Sequence, residues 1–282
     1  MSKVRRLAFV VPRFEPVSAG GAEVLTREFA RRLIAKGNEV EIFTTCARNH
    51  FTWQNYYEEG RHSSDGLVIN RFRVKDGRNV DLFLKLQSLI DRGIQLSTSE
   101  EKQWISESVT SPDLVNYLES NKNNFDVFFL IPYLFGLTYF TSFFAPEKTV
   151  LIPCLHDEGF ARLGIFRDMF NRVKGVMFNA YPEQVLAEKL MGLPAEKGRV
   201  AGLGFEPGAG YNSSLFQNKF GIEEPFILFA GRRERGKNIH VLIEYFNCYK
   251  LNNPGDLKLV LLGTGEVDLP AGTKDIIDLG YI

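Results

Sequence analysis

Residues 7–45 join an apolar run, a glycine turn, a helical pattern and a second apolar run: LAFVVPRFEPVSAGGAEVLTREFARRLIAKGNEVEIFTT. Leu7 to Val11 is continuously apolar, which is typical of a strand buried on both faces. From Ala22 to Lys36 apolar residues recur four apart, and Gly37 follows where helices commonly end. Glu39 to Thr45 alternates like a second strand. Together these elements predict a β-α-β unit with two parallel strands.

The same alternation continues along the chain. Helices are predicted over most of residues 80–122, with interruptions near Ser97 and at Ser111-Pro112, and again at Phe160–Phe170 and Glu183–Leu190. Strands are predicted at Leu67–Val74, Asp126–Tyr133, Thr149–Leu155, Gly175–Phe178 and Val200–Leu203. Strands that alternate with helices predict an α/β fold with a mainly parallel, Rossmann-like sheet.

A change of composition after Gly204 marks a domain boundary. The next residues are rich in glycine and serine and include Pro207, as in linkers. The pattern then restarts with strands at Phe226–Ala230, Leu257–Leu262 and Ile276–Ile282 and a helix at Ile239–Leu251. We therefore predict an N-terminal Rossmann-like domain over residues 1–206, a linker over 207–224 and a partial second Rossmann-like domain over 225–282. Three strands leave a sheet edge open, so we expect a fragment of a longer chain.

The composition excludes several classes of protein. The 282 residues are 44% apolar and 24% charged, which is typical of a soluble globular protein. Lys plus Arg and Asp plus Glu are both 34, and this zero net charge argues against nucleic-acid binding. Three separated cysteines favour free thiols in a reducing compartment. The longest apolar segment, Val127–Phe140, contains Pro132 and Gly136 and is too short to span a membrane. These features predict a cytoplasmic protein.

The turn after the first strand contains Gly20 and Gly21, followed by Glu23. Adjacent glycines let a ligand approach the backbone, and the N-terminus of the next helix offers N–H groups and positive potential. This pattern predicts a substrate-binding turn. The alternative is a turn whose backbone needs positive φ.

Two further turns follow strands of the second domain. The first runs from Gly231 to Asn238 and holds four cations, among which Arg232 and Lys237 are suited to bind a diphosphate. A solvated run of charge is the alternative. The second turn contains Gly263 and Gly265, and it lacks the third glycine of a dinucleotide-binding fingerprint. It predicts a tight turn that contacts a nucleotide.

His156 begins the segment His156-Asp157-Glu158 at the carboxyl end of a central strand, where α/β folds place their sites. A structural histidine is the alternative. Metal binding is disfavoured because three successive residues do not readily face one ion. A serine hydrolase is disfavoured because Gly-x-Ser-x-Gly does not occur in the sequence.

In this order the motifs resemble those of glycosyltransferase family 4, the retaining nucleotide-sugar enzymes of the GT-B fold. The resemblance covers the whole chain and includes an acceptor-domain segment of one bacterial subgroup. The motifs that carry it are Phe9-Val10-Val11-Pro12, Gly20-Gly21-Ala22-Glu23, Trp104-Ile105, Ser111-Pro112-Asp113-Leu114, Tyr117-Leu118, His156-Asp157-Glu158, Gly202-x-Gly204 with Glu206, Phe229-Ala230-Gly231-Arg232 with Lys237, and Leu261-Leu262-Gly263-Thr264-Gly265.

The resemblance implies transfer of a sugar from a nucleoside diphosphate sugar to an acceptor hydroxyl, with retention of configuration. Arg232 and Lys237 would stabilise the departing diphosphate without a metal or another cofactor. Gly20 and Gly21 would approach it from the facing domain, and His156 would contact the transferred sugar. The acceptor would be a glycan, a lipid carrier or a small molecule, as in polysaccharide biosynthesis. The family's two glutamates, separated by seven residues, would lie beyond Ile282, so we expect the chain by itself to be inactive.

Other functions stay open at this point. One is a non-catalytic acceptor-domain module that needs a partner chain for donor binding. Another is an epimerase or phosphorylase of the same architecture, although nothing in the sequence indicates a lysine-bound pyridoxal cofactor. The missing third glycine disfavours a dinucleotide oxidoreductase. Peripheral membrane contact and self-association through the incomplete sheet also stay open.

Overall fold

A computed structural model of the chain describes residues 4–15, 20–50, 52–204, 210, 212–233, 235–269 and 273–281. The chain divides into two compact units, Met1–Phe205 and Glu206–Ile282. Each unit contains a parallel sheet with helices.

The strands of the first unit form one sheet. They are β1 (Arg6–Val10), β2 (Glu39–Thr45), β3 (Gly60–Ser64), β4 (Leu67–Phe72), β5 (Val127–Leu130), β6 (Thr149–Leu151), β7 (Gly175–Phe178) and β8 (Gly198–Val200). Over the described residues their order is β3-β4-β2-β1-β5-β6-β7-β8. Neighbouring strands are parallel except for the antiparallel pair of β3 and β4. This arrangement confirms the predicted α/β class.

Helices cover both faces of this sheet. They are α1 (Gly21–Ala35), α2 (Val80–Asp91), α3 (Thr98–Ser106), α4 (Pro112–Ser120), α5 (Gly136–Thr141), α6 (Gly164–Arg172) and α7 (Tyr181–Met191). Short 3₁₀ turns lie at Lys122–Asn124, Pro146–Lys148, Gly159–Arg162 and Ala195–Lys197. The predicted interruptions near Ser97 and Ser111 are helix starts: the Ser97 hydroxyl accepts from the Glu100 N–H and the Ser111 hydroxyl from the Leu114 N–H.

Strand β1 is buried on both faces, as its apolar run predicts. Leu7 and Phe9 belong to the core beneath α1, where they lie with Leu25. Ala8 and Val10 belong to the larger core on the opposite face, which includes Trp104. A central strand that contributes to two cores has no polar face, and this explains the continuous hydrophobicity from Leu7 to Val11.

The second unit contains α8 (Ser213–Phe220), β9 (Phe226–Ala230), a 3₁₀ turn at Arg235–Lys237, α9 (Ile239–Asn252), β10 (Lys258–Leu262) and β11 (Ile276–Asp278). Its strands are parallel in the order β11-β10-β9. Ile243 and Phe246 of α9 pack with Leu259 and Leu261 of β10 in its core. Strand β9 lies at the edge of this sheet within the described residues, and Leu228 is 49% exposed.

The structure corrects three expectations about elements. Strand β3 was not expected, because it is polar; it pairs with β4 through a turn in which Asp65 and Gly66 both have positive φ. The strand predicted at Val200–Leu203 lies at Gly198–Val200. Part of the predicted linker 207–224 is the helix α8, which Asn212 caps at its start and Gly221 ends with φ 66°.

Candidate functional site

In the first unit, two of the predicted site loops follow strands that are close together in the sheet. The Gly20-Gly21 turn follows β1, and His156 follows β6; only β5 lies between these two strands. At the usual strand spacing this separation is about 10 Å. The chain passes from β1 outward to β2 and β4 and returns to β5 on the other side of β1. Such a switch point, at the carboxyl ends of the strands, is where doubly wound folds bind ligands.

The glycine turn contains an ion pair that lies over Gly20. Arg13 Nε donates to Glu23 Oε1 at 2.5 Å, and Glu23 is 5% exposed. A Cβ on Gly20 would come within 2.7 Å of the Glu23 carboxyl carbon and 3.2 Å of Arg13 Nη2. Gly20 has φ −69°, so the explanation by positive φ is wrong at this residue. A side chain at Gly20 would displace the Glu23 carboxylate from its present position in this ion pair, whereas Gly21 has open space beside it.

Arg13 makes a second hydrogen bond in addition to its ion pair with Glu23. Its Nη1 also donates to the backbone oxygen of Arg48 at 2.9 Å, and its side chain stays 23% exposed. Glu23 is therefore buried beside a cation, and the guanidinium is the more exposed member of the pair. The sequence analysis did not single out Arg13, although it directly follows Pro12 at the carboxyl end of β1.

His156 is exposed, and a buried carboxylate fixes the residue before it. Glu183 Oε1 accepts from the Leu155 N–H at 2.7 Å, and Oε2 accepts from the Asn179 N–H at 2.6 Å. Glu183 is 8% exposed. One side chain of α7 thus holds together the loop after β6 and the end of β7. This contact sets where the chain leaves the core and presents His156.

Cys154 lies beside this clamp in the left-handed region, with φ 52°. Its thiol accepts from Asn179 Nδ2 at 3.5 Å. Burial and the charge of Glu183 raise the pKa of Cys154 to about 11. The thiol is therefore protonated at neutral pH and acts as a small buried group within the loop.

Glu158 is a half-buried carboxyl close to His156. Its N–H donates to the His156 carbonyl oxygen at 2.9 Å. Burial raises the pKa of Glu158, and His156 opposes this effect. The nearby Tyr133 is fully buried against Phe166, and its hydroxyl has no hydrogen-bond partner among the described residues. Burial and the Glu158 charge raise the pKa of Tyr133. His156 thus has an acidic neighbour that lies over an aromatic core.

In the second unit, the turns after β9 and β10 fit closely against each other. Gly231 N–H donates to Leu262 O at 2.9 Å, and Arg233 N–H donates to Thr264 O at 2.8 Å. Gly263 has φ 136°, and a Cβ on it would collide with the Gly231 carbonyl group. The sequence predicted both turns, and the structure brings them together at one edge of the sheet.

The cations of this turn have different environments. Arg233 is 5% exposed; its guanidinium bonds both carboxylate oxygens of Asp278 and the Gly265 carbonyl oxygen. Arg233 therefore links the turn to β11. Arg232 and Lys237 are exposed, and Lys237 immediately precedes Asn238 at the start of α9. Binding of a diphosphate by these two residues stays a prediction.

Some of the predicted residues cannot be placed. Glu206, which belongs to the quoted motifs, lies outside the described residues. In the ranges that the structure covers, no group of three or more His, Cys, Asp or Glu side chains could hold a metal ion. Over the same ranges every helix is too short or too polar to cross a bilayer.

No family model and no curated protein matches the sequence. The structure, however, resembles solved structures. A glycosyltransferase from Rickettsia africae ESF-5 is 13% identical with a TM-score of 0.60, and the match covers 99% of this chain and 69% of that one. A trehalose-6-phosphate protein from E. coli, bound with UDP-2-fluoro glucose, is 13% identical with a TM-score of 0.61 and 91% and 64% coverage. A UDP-forming trehalose-phosphate synthase from Burkholderia xenovorans, in complex with glucose-6-phosphate, is 11% identical with a TM-score of 0.65 and 98% and 75% coverage.

These neighbours are GT-B glycosyltransferases, and the likeness confirms the predicted GT-B-like fold class. At such low identity it concerns the fold. The chain spans about two thirds to three quarters of the length of these neighbours. Membership of family 4 stays a prediction from the motifs.

Proposed function

We propose that this chain belongs to a glycosyltransferase that moves a sugar from a nucleoside diphosphate sugar to an acceptor hydroxyl, with retention of configuration. The GT-B-like fold supports this class of reaction. The single observation that carries the proposal is the pairing of two turns in the second unit. The basic turn with Arg232 and Lys237 lies against the glycine turn of Gly263 and Gly265.

The chemistry of this pair of turns suits a diphosphate. A guanidinium can donate two parallel hydrogen bonds to phosphate oxygens, and an ammonium adds a point charge. Arg233 bonds to Asp278, and the side chains of Arg232 and Lys237 are exposed to solvent, where a ligand can reach them. Negative charge grows on the diphosphate as the bond to the sugar breaks, and Arg232 and Lys237 would stabilise it. This mechanism needs no metal.

The first unit would supply contacts to the sugar and the acceptor. His156 is exposed at the carboxyl edge of the sheet, where its imidazole can hydrogen bond to hydroxyl groups. The Glu183 clamp holds the preceding residue through two short hydrogen bonds. Gly21 offers exposed backbone at the start of α1, and the Arg13–Glu23 ion pair lies beside the partly exposed Gly20. We propose His156 as the residue that contacts the transferred sugar.

We expect the 282 residues alone to bind a nucleotide weakly, with a dissociation constant of about 1 mM, and to show no robust turnover. The reason is that the described part of the second unit has a sheet of three strands, whereas nucleotide sites in such folds usually draw on more strands. The second candidate is a non-catalytic acceptor module that takes its donor site from a partner chain. The exposed apolar residues of β9 are the observation that favours a partner.

Calorimetric titration with UDP, ADP and GDP, each compared with its monophosphate, separates the two candidates. A diphosphate site should bind at least one diphosphate about tenfold more tightly than the corresponding monophosphate, because the second phosphate adds charge-assisted hydrogen bonds. Equal affinities for both would contradict the assigned role of the turn. If no nucleotide binds, the acceptor module becomes the better description. If transfer is observed, NMR of the product's anomeric proton tests retention.

A further inference from the structure

The first unit contains a groove of about 690 Å³ that the proposed donor chemistry does not use. It lies where the end of α2, the start of α3, the 3₁₀ turn Gly159–Arg162 and the start of α6 meet. Its size is in the range of small-molecule sites.

The groove has an apolar floor and a charged rim. Buried side chains form the floor, among them Leu96, Leu163 and Ile165. Exposed charged residues form the rim: Lys102, Arg162, Arg167 and Asp168. An apolar base with a few polar groups around it is the usual construction of a site for a ligand with both a hydrophobic face and polar groups.

One carboxylate in the groove is fully used by the protein. Glu101 is 9% exposed, and its two oxygens accept from the N–H groups of Gly164 and Ile165 at 3.1 and 3.0 Å. Glu101 therefore caps the start of α6, and the positive end of that helix offsets its charge. Glu101 therefore repels an anion in the groove less strongly than a carboxylate without these hydrogen bonds would.

The remaining charges favour an anion. Arg162 donates to Asp157 Oδ1 at 2.5 Å, so these two groups compensate each other. The amide groups at the start of α6 offset Glu101, which leaves Lys102 and Arg167 against Asp168 among the charged residues that line the groove. Lys102 on α3 and Arg167 on α6 stand on different elements that both line the groove, and a ligand held by both would be fixed in position.

The groove is also connected to the candidate site. Asp157, the partner of Arg162, directly follows His156, and Gly159 lines the groove three residues later. A molecule in the groove would thus lie next to the segment that presents His156.

We propose that this groove binds a hydroxylated phosphate monoester, with Lys102 and Arg167 as its phosphate ligands and the apolar floor against its carbon skeleton. On the proposed function, on which this role rests, the bound molecule is the acceptor and the phosphate orients it. The phosphate can belong to a free sugar phosphate or to a lipid head group, since both present the same chemistry to the two cations.

Glucose 6-phosphate is the probe for the soluble source, with glucose and inorganic phosphate as comparisons. Binding is measured by calorimetry and by NMR shifts of groove residues. We expect glucose 6-phosphate to bind and glucose to bind at least about tenfold more weakly, since charge-assisted bonds carry the affinity. Phosphatidylcholine vesicles with and without phosphatidylinositol 4-phosphate, whose head group carries a phosphate monoester and free hydroxyl groups, provide the arm for a lipid source, by co-sedimentation.

The variants Lys102→Gln and Arg167→Gln should each weaken binding about tenfold. Lys189→Gln, an exposed lysine of α7 outside the groove, is the matched control and should change nothing. Binding to phosphatidylinositol 4-phosphate vesicles alone, with the same loss in both variants, would support the proposal and assign the lipid source. If no probe binds, or if the variants bind like Lys189→Gln, the proposal is overturned.

A UDP titration of the same proteins separates this proposal from the proposed function. If UDP binds to all variants equally while the groove probes fail to bind, the groove assignment alone is wrong. If glucose 6-phosphate binds through Lys102 and Arg167 while no nucleotide binds, the groove stands and the donor chemistry fails.

Discussion

The Glu183 clamp predicts a specific and large loss of stability when its carboxylate becomes an amide. Glu183→Gln keeps the size of the side chain, but one acceptor oxygen is replaced by an NH₂ group that would face a backbone N–H. One of the two bonds, to Leu155 or to Asn179, must be lost. A buried donor without a partner costs about 1–3 kcal/mol, and we expect the upper half of that range because the lost acceptor is charged.

Urea unfolding followed by tryptophan fluorescence measures this loss in the first unit, because both tryptophans, Trp53 and Trp104, lie there. Glu188→Gln is the matched control: Glu188 lies on the same helix and accepts from Gln184, a pair four residues apart that contributes about 0.2–0.5 kcal/mol. Hydrogen exchange at Leu155 and Asn179 should become faster in Glu183→Gln and stay unchanged in the control. A Glu183→Gln protein as stable as the control, with both amides still protected, would refute the clamp.

Three further predictions follow from the described contacts. Gly263→Ala should destabilise the second unit by about 2 kcal/mol or more, because Gly263 has φ 136° and the new Cβ would collide with the Gly231 carbonyl group. Gly255→Ala is the control, since no atom lies within 4 Å of its added Cβ, and it should not destabilise the unit. Faster hydrogen exchange across residues 226–262 in both variants, or in neither, would contradict this prediction. The raised pKa of Glu158 means that the folded chain binds more protons than the unfolded chain above pH 4.5, so the stability contributed by this group falls as pH rises through the folded pKa. Glu158→Gln should lose this dependence of stability on pH. Urea midpoints of Glu158→Gln that run parallel to those of the wild type between about pH 4 and pH 7 would contradict the prediction. Cys248 is exposed, whereas a pKa of about 11 leaves Cys154 about one thousandth ionised at about pH 8. The Cys248→Ser variant should therefore lose the fast reaction with a thiol reagent. A fast reaction that persists in this variant would contradict the prediction.

The sequence analysis predicted the elements whose pattern is local. The continuous apolar run at Leu7–Val11 is characteristic of a strand with two buried faces, and the structure contributes these residues to two cores. The interruption predicted near Ser97 is equally local, and the structure shows its cause: the Ser97 hydroxyl caps the start of a new helix. Strand β3 escaped detection because its polar residues lie at a sheet edge, where pairing with β4 alone decides the conformation.

The candidate site was harder to predict because its supporting contacts are long-range. Glu183 reads as an ordinary residue of an amphipathic helix, yet its carboxylate bonds to Leu155, 28 positions away. The run of cations from Arg232 to Lys237 does not indicate which of them forms a long-range contact. Arg233 bonds to Asp278, 45 positions later. The role of Gly20 in substrate binding stays a prediction, and the Arg13–Glu23 pair that lies beside it is not specified by any sequence spacing.

The most direct test of the account is the affinity of Arg232→Ala and Lys237→Ala for a nucleoside diphosphate, measured by calorimetry beside Lys274→Ala. Lys274 is an exposed lysine just before β11, at the opposite edge of the same sheet, and it controls for the loss of one positive charge. The account predicts that Arg232→Ala weakens binding by about tenfold or more, that Lys237→Ala also weakens it, and that Lys274→Ala does not. Affinities that are equal in all three variants would contradict the assignment of the diphosphate to the turn between β9 and α9.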